Sequence, residues 1–176
     1  MKYFITGANG FIGGSLTKFL LAAGNDVTAF SRKFHDDTKK ELSGARFITG
    51  DILDFNFSNL NDHYDFIIHL ATANDIISKN RKDGILLSSY GTANILDYAC
   101  SINVDKFIFF STLQVYGSEL KGHYSEHSDL NPENDYALNH IFGEQYCKLF
   151  SKQKKIKTII LRPSNVYGPF LTKKLD

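Results

Sequence analysis

The chain has 176 residues, of which 43% are hydrophobic and 22% charged, with a formal net charge of +1. That length suits one domain with its own core, and the near-zero charge gives no electrostatic case for nucleic acid or a membrane surface as a partner. No apolar run approaches the ~20 residues of a membrane span, and strand-forming residues begin at Lys2 with no room for a leader, so a cytoplasmic protein is expected.

In chain order, the first strand is Lys2–Thr6 and ends at Gly7. Gly10 and Gly13 follow at three-residue steps. Helical periodicity then starts, with Leu16, Phe19, Leu20 and Ala23 on one stripe, and the helix is expected from Gly10 to about Ala23, closed by Gly24-Asn25. A strand, a glycine turn and a helix in succession form the opening half of a nucleotide-binding βαβ unit. Gly7 supplies the tight turn, Gly10 lets a diphosphate approach the main chain, and Gly13 lets the helix lie close to its strand. The helix start at about Phe11 and Ile12 favours an anion through its free N–H groups and its dipole.

The rest of the chain alternates strands and helices, which predicts a doubly wound parallel sheet of Rossmann type with helices on both faces. Strands are expected at Asp26–Ser31, Arg46–Thr49, Asp65–Leu70, Lys106–Phe110 and Lys157–Leu161. Helices are expected over Lys82–Asn103 and Asp135–Lys152, and one or two helical turns over Phe55–His63. The segments Arg32–Gly44, Ser111–Asn134 and Arg162–Asp176 read as loops. The second of these is longer than a usual connector, as functional loops often are.

Candidate sites sit at the strand ends. The second strand ends in Ser31-Arg32-Lys33 with no carboxylate for a ribose 2′-hydroxyl, so Arg32 favours the 2′-phosphate of NADP over NAD. Gly50-Asp51-Ile52 ends the third strand, where Asp51 accepts from an adenine amino group or caps the next turn. His69-Leu70-Ala71-Thr72 ends the fourth, and His69 reads as a core histidine satisfied by its neighbours. The fifth strand runs into Ser111-Thr112, and a helix begins near Tyr136. A hydroxyl beside the cleft holds a substrate oxygen, and a tyrosine passes its proton, but a phenol of pKa ~10 needs a nearby cation to act as a base. One turn along the same face stands His140. The cysteines, Cys100 and Cys147, read as reduced buried thiols, and the six histidines have no metal-binding spacing.

Thr6-Gly7-Ala8-Asn9-Gly10-Phe11-Ile12-Gly13, Gly50-Asp51-Ile52, His69-Leu70-Ala71, Gly91-Thr92-Ala93-Asn94, Ser111-Thr112 before Val115-Tyr116-Gly117, Tyr136, and Leu161-Arg162-Pro163-Ser164-Asn165-Val166-Tyr167-Gly168-Pro169 follow one another along the chain. In this order they resemble an extended short-chain dehydrogenase/reductase of the NAD-dependent epimerase/dehydratase type, a family acting mostly on nucleotide-activated sugars. The resemblance implies that Gly7, Asn9, Gly10, Phe11, Ile12 and Gly13 hold the pyrophosphate, with Asp51 and Ile52 at the adenine. It implies that Leu70, Ala71 and Thr72 line the cofactor channel, that Thr112 and Tyr136 are the catalytic hydroxyls, and that Asn165 touches the sugar nucleotide. The family's chemistry is hydride transfer with NAD or NADP while the tyrosine moves the hydroxyl proton.

Three departures stand out. The family's Tyr-x-x-x-Lys is Tyr136-Ala137-Leu138-Asn139-His140, Ser88 stands where an asparagine is usual, and the chain stops just after the sixth strand, where family members continue into a substrate lobe. Two readings follow: an NAD(P)-dependent nucleotide-sugar epimerase, dehydratase or reductase whose cofactor lobe is residues 1–176, or a dinucleotide-binding module with impaired chemistry. The resemblance also implies a homodimer through helices 82–103 and 135–152. Ile85, Leu86, Ile95, Leu96, Ile141, Phe142, Tyr146 and Leu149 would serve either that interface or the sheet-facing core.

Overall fold

A computed structural model describes residues 1–60, 62–154 and 156–169. It holds a six-stranded parallel sheet in the order β3-β2-β1-β4-β5-β6, from strands β1 (Lys2–Thr6), β2 (Asp26–Ser31), β3 (Arg46–Thr49), β4 (Phe66–His69), β5 (Lys106–Phe110) and β6 (Thr158–Leu161). This is the Rossmann arrangement expected from the alternation of elements. The order reverses between β1 and β4, so connections leave in opposite directions there and open a crevice at the carboxyl ends of the strands.

The strands alternate side chains between two apolar layers. On one face α1 (Phe11–Ala22), with Phe34 ahead of the short α2 (Asp36–Glu41), covers Ile5, Val27, Ala29 and Ile68. On the other, α4 (Thr92–Ser101) and α5 (Asp135–Lys154) cover Phe4, Phe30, Ile67, Phe107 and Phe109. At β6 the cover is thinner, and Ile159 and Leu161 are each 40% exposed. Among the described residues no helix is long and apolar enough to cross a membrane.

Several elements differ from the sequence reading. The expected loop Arg32–Gly44 contains α2, whose Thr38 is buried while charged residues face out; a helix of six residues is too short to show a periodic signature. The expected helix Lys82–Asn103 is in three pieces: α3 (Arg81–Ile85), a π-helical turn over Leu86–Gly91, and α4. The π turn frees backbone groups from the usual ladder. There the Thr92 hydroxyl donates to the Ser88 carbonyl at 2.8 Å, and Ser88 Oγ accepts the Ala73 N–H at 3.2 Å. The segments after β3, β4 and β5 each contain one 3₁₀ turn, over Phe57–Asn59, Ile77–Lys79 and Leu113–Tyr116. Beyond β6 the chain is irregular through Pro169, and the rest of the expected terminal loop lies outside the described residues.

Candidate active site

The glycine turn after β1 is built as its residue types require. Gly7 has φ +70°, a left-handed conformation, and a Cβ there would stand 2.9 Å from the Leu70 carbonyl carbon. A Cβ on Gly13 would stand 2.3 Å from the Gly7 carbonyl oxygen. The helix packs on its own turn with no space for a methyl group. Gly10 is the N-cap of α1 and supplies no side-chain cap, and the dipole of the helix start favours an anion there. The Asn9 side-chain oxygen is buried and has no hydrogen-bond partner among the described residues.

Around this turn runs a cleft of about 410 Å³, walled by Gly7, Gly10, Ile12, Gly13, Arg32, Asp51, Ile52, Leu70, Ala71 and Thr72. Nearly every residue expected to bind a dinucleotide is therefore on one surface. Asp51 also does the humbler job considered for it, its Oδ1 accepting the Leu53 N–H at 3.0 Å. Ile52 is 2% exposed and belongs to the core as well as to the wall. The residues present fit a dinucleotide: Gly7, Gly10 and Gly13 wall the cleft at the start of α1, and the orphaned Asn9 oxygen lies in the same turn.

His69 is the core histidine that the sequence suggested, and its neighbours fix its tautomer. The Thr92 hydroxyl already donates to Ser88, so it accepts from His69 Nε2–H at 3.1 Å. Nδ1 then accepts from the Thr6 hydroxyl at 2.7 Å, while Thr6 Oγ1 accepts the N–H groups of Leu70 at 3.1 Å and Ala71 at 3.2 Å. This closed chain pins the carboxyl end of β4 to that of β1, and so holds Leu70 and Ala71 against Gly7. Burial, with the nearby His140, pulls the His69 pKa down to about 3 and keeps the ring neutral.

A second cleft of about 920 Å³ continues from the first and shares Phe11, Ile12, Leu70 and Thr72 with it. Its walls carry Thr112, Gln114, Tyr136, His140 and Asn165, so all three expected catalytic residues and the expected substrate residue meet there. Thr112 stands two residues beyond β5, its hydroxyl accepting the Gln114 N–H at 3.3 Å and lying beside the Tyr136 phenol. Tyr136 lies one residue into α5, its ring 4.5 Å from that of His140. Burial raises its pKa, the Thr112 hydroxyl opposes the rise, and Asp75 adds to it.

His140 is 3% exposed. Its Nδ1 lies 3.0 Å from the Tyr136 carbonyl oxygen, which only accepts, so Nδ1 carries the proton. Its Nε2 lies 3.3 Å from Thr72 Oγ1. Burial lowers its pKa against the pull of the Tyr136 carbonyl, Glu144 and Asp75. The ring is a neutral acceptor toward the cleft. It is not a cation. Among the described residues lining this cleft none is Lys or Arg, and Asp75 is the one acid.

The sequence reading missed a girder beneath the site. Glu144, 0% exposed, accepts from the Ser111 hydroxyl at 2.6 Å and from Arg162 at 2.7 Å and 2.6 Å in a two-pronged pair. Arg162 also donates to the Tyr116 hydroxyl, which donates to the Ser125 carbonyl at 2.8 Å. The ends of β5 and β6, α5 and the loop after β5 are thus tied at one point. Glu144 follows His140 by four residues on the same buried stripe of α5, and that spacing was the available signal. Asp75 sits in an irregular segment and gave none.

Comparison with known proteins accords with this geometry. The NAD-dependent epimerase/dehydratase family matches residues 3–176. Human dTDP-D-glucose 4,6-dehydratase is 34% identical over 138 residues, covering 76% of this chain and 39% of that protein. The UDP-glucose epimerase YtcB of Bacillus subtilis, itself uncharacterised, is 33% identical over 187 residues, 96% of this chain and 58% of its own. Among solved structures, UDP-glucuronic acid 4-epimerase from Bacillus cereus in complex with NAD superposes with a TM-score of 0.87 at 31% identity over 97% of this chain and 58% of that one. The chain therefore spans from about two fifths to three fifths of the length of these relatives. The chain belongs to the NAD-dependent epimerase/dehydratase family.

Proposed function

We propose that this chain is the cofactor lobe of an NAD-dependent enzyme that modifies a nucleotide-activated sugar by hydride transfer. The observation that carries this reading is the continuous crevice leading from the glycine turn at Gly7–Gly13 to Thr112 and Tyr136. The helix start and Asn9 hold the pyrophosphate, Asp51 and Ile52 the adenine, and Leu70, Ala71 and Thr72 the channel toward the nicotinamide. When bound, the nicotinamide supplies or stores the hydride. Thr112 orients the substrate oxygen, Tyr136 exchanges its proton, and Asn165 steadies the sugar nucleotide. The relatives solved with NAD support that cofactor. Arg32 on the cleft wall, with no acid at the end of β2, supports acceptance of NADP as well.

A titration of the purified chain with NAD and NADP, followed by cofactor fluorescence or calorimetry, tests the reading. Saturable binding of either is expected, and weakening by Gly13→Ala would place it at the turn. Binding of neither refutes the cofactor lobe. A clear preference for NAD would remove the role given to Arg32.

A second reading, a binding module without turnover, is favoured by the neutral His140 and the absence of a cation on the described cleft walls. Turnover of a nucleotide sugar by the wild type excludes it, whereas turnover by His140→Lys alone upholds it. Pairing of two copies is also supported. Ile95 and Leu96 went to the core, whereas Ile85, Leu86, Tyr90, Leu138 and Leu149 are 38–52% exposed on α3, the π turn and α5. A monomer in concentrated sedimentation runs would rule the pairing out.

A further inference from the structure

Hydrogen-bond geometry places a proton on His140 Nδ1, burial favours the neutral ring, and the charges around Tyr136 bear on the direction of the chemistry. A phenol that removes a proton from an alcohol must first be ionised, which needs positive charge beside it. A phenol that gives a proton to a carbonyl oxygen works in its ordinary neutral form.

The groups facing Tyr136 and His140 come from four elements. From α5 there is Glu144, one turn beyond His140, already paired with Arg162. From the segment after β4 come Thr72 and the Asp75 carboxylate. From β4 comes His69, locked neutral between Thr6 and Thr92. From β5 and the residues just after it come the ring of Phe109, 6.3 Å from His140, and Thr112. Among the described residues no member of this set brings an unpaired positive charge, and Asp75 brings a negative one. His140 has its single proton committed to the Tyr136 carbonyl and turns a lone pair toward Thr72 and the cleft.

We propose that Tyr136 is a neutral proton donor and His140 a neutral hydrogen-bond acceptor, so that this site serves the reduction of a keto-sugar in preference to the oxidation of an alcohol. The inference rests on the hydride-transfer reading above and specifies the state in which the site begins its work. The carbonyl carbon gains a hydride from a reduced nicotinamide dinucleotide, the C=O π pair becomes the oxygen's lone pair, and that oxygen takes the Tyr136 proton. The tyrosinate left behind is reprotonated from solvent past Thr112. His140 contributes as an acceptor for a ribose hydroxyl, a contact that a neutral Nε2 makes and an ammonium cannot.

The chain without ligand tests this directly. The tyrosinate absorbance of the wild type minus that of Tyr136→Phe gives the Tyr136 titration, which is expected above the ordinary phenol value of about 10. Ionisation below that value overturns the proposal. Nitrogen NMR of the labelled imidazole is expected to show N–H at Nδ1 and a bare Nε2 at neutral pH, and a doubly protonated ring overturns it. His140→Lys should move the Tyr136 titration down by about one pH unit or more if the variant folds, since one unit is a modest effect for a cation at contact distance. His140→Gln, which keeps an acceptor and adds no charge, should leave that titration in place. In the loaded protein, alcohol oxidation should rise about tenfold per pH unit below the Tyr136 titration while reduction stays flat. A pH-independent oxidation rate refutes the assignment. Failure to bind a dinucleotide would sink the function proposed above, yet the two titrations would still decide the state of Tyr136 and His140.

Discussion

Replacing Arg162 by Met removes a guanidinium of which only 12% is exposed from a carboxylate that is 0% exposed. Glu144 loses its bonds at 2.7 Å and 2.6 Å and keeps the Ser111 hydroxyl at 2.6 Å, with Lys148 at 3.8 Å on the rim. The Tyr116 hydroxyl loses its donor as well. Breaking a buried pair from one side costs about 3–5 kcal/mol, and Ser111 and Lys148 place this case near the lower figure. That is a large share of a typical domain stability of about 5–15 kcal/mol. Urea denaturation at neutral pH should show a lower midpoint with an unchanged slope. The sign with pH is also fixed. Burial opposes ionisation of Glu144, but the Arg162 guanidinium, the Ser111 hydroxyl and Lys148 outweigh it, so its folded pKa lies below the usual carboxylate value. Its contribution is complete above the unfolded value of about 4.3 and fades as pH falls through the folded one. The gap between wild type and Arg162→Met should therefore narrow in acid. The double variant Glu144→Gln/Arg162→Met should recover part of the loss, because no buried charge is then left alone. A cost under about 1 kcal/mol at neutral pH, or a gap that widens in acid, would refute the reasoning.

Three further outcomes are expected. Gly13→Ala presses a methyl group against the Gly7 backbone, which has nowhere to yield, so it should cost about 2–3 kcal/mol in urea unfolding and weaken dinucleotide binding together. Thr6→Val keeps the volume but strands His69 Nδ1 and the N–H groups of Leu70 and Ala71, a loss of about 3 kcal/mol; a neutral result would show that the hydroxyl is not their partner. His69, held to about 3 by burial, is neutral when folded and charges on unfolding below its free value of about 6.5, so stability should fall by up to about 1.4 kcal/mol per pH unit between those values, and His69→Gln should flatten that slope in midpoint-versus-pH measurements.

Much of the molecule was legible from local pattern. All six strands lie where strand-forming runs ended at glycine or polar residues; the central β4 is the clearest, because a strand buried on both faces has to be apolar along its length. The glycine turn was legible because its backbone constraints act within a few residues: Gly7 needs its φ and Gly13 its missing Cβ whatever the rest of the chain does. The break in the helix at Leu86–Gly91 was not, since it depends on Ser88 meeting Ala73 and on Thr92 standing between Ser88 and His69. The split of Ile85 and Leu86 from Ile95 and Leu96 was equally hidden. Helical periodicity marks a stripe as apolar but does not say what covers it.

The sequence by itself determined a Rossmann-type fold and the family, because each rests on motifs whose chemistry is local. Only the tertiary structure decided the charge states. The proton on His69 is placed by Thr92, 23 residues away, which leaves Nδ1 to Thr6, 63 residues away; that on His140 is placed by the Tyr136 carbonyl one turn back, and its burial comes from the packing of distant elements. The environment of Tyr136 is set by Asp75 and Thr112 from two other strand ends. Glu144 and Arg162 became a single buried pair when β6 docked beside β5. Protonation answers to burial and to the sum of neighbouring charges, and both exist only once the strands have brought distant residues together.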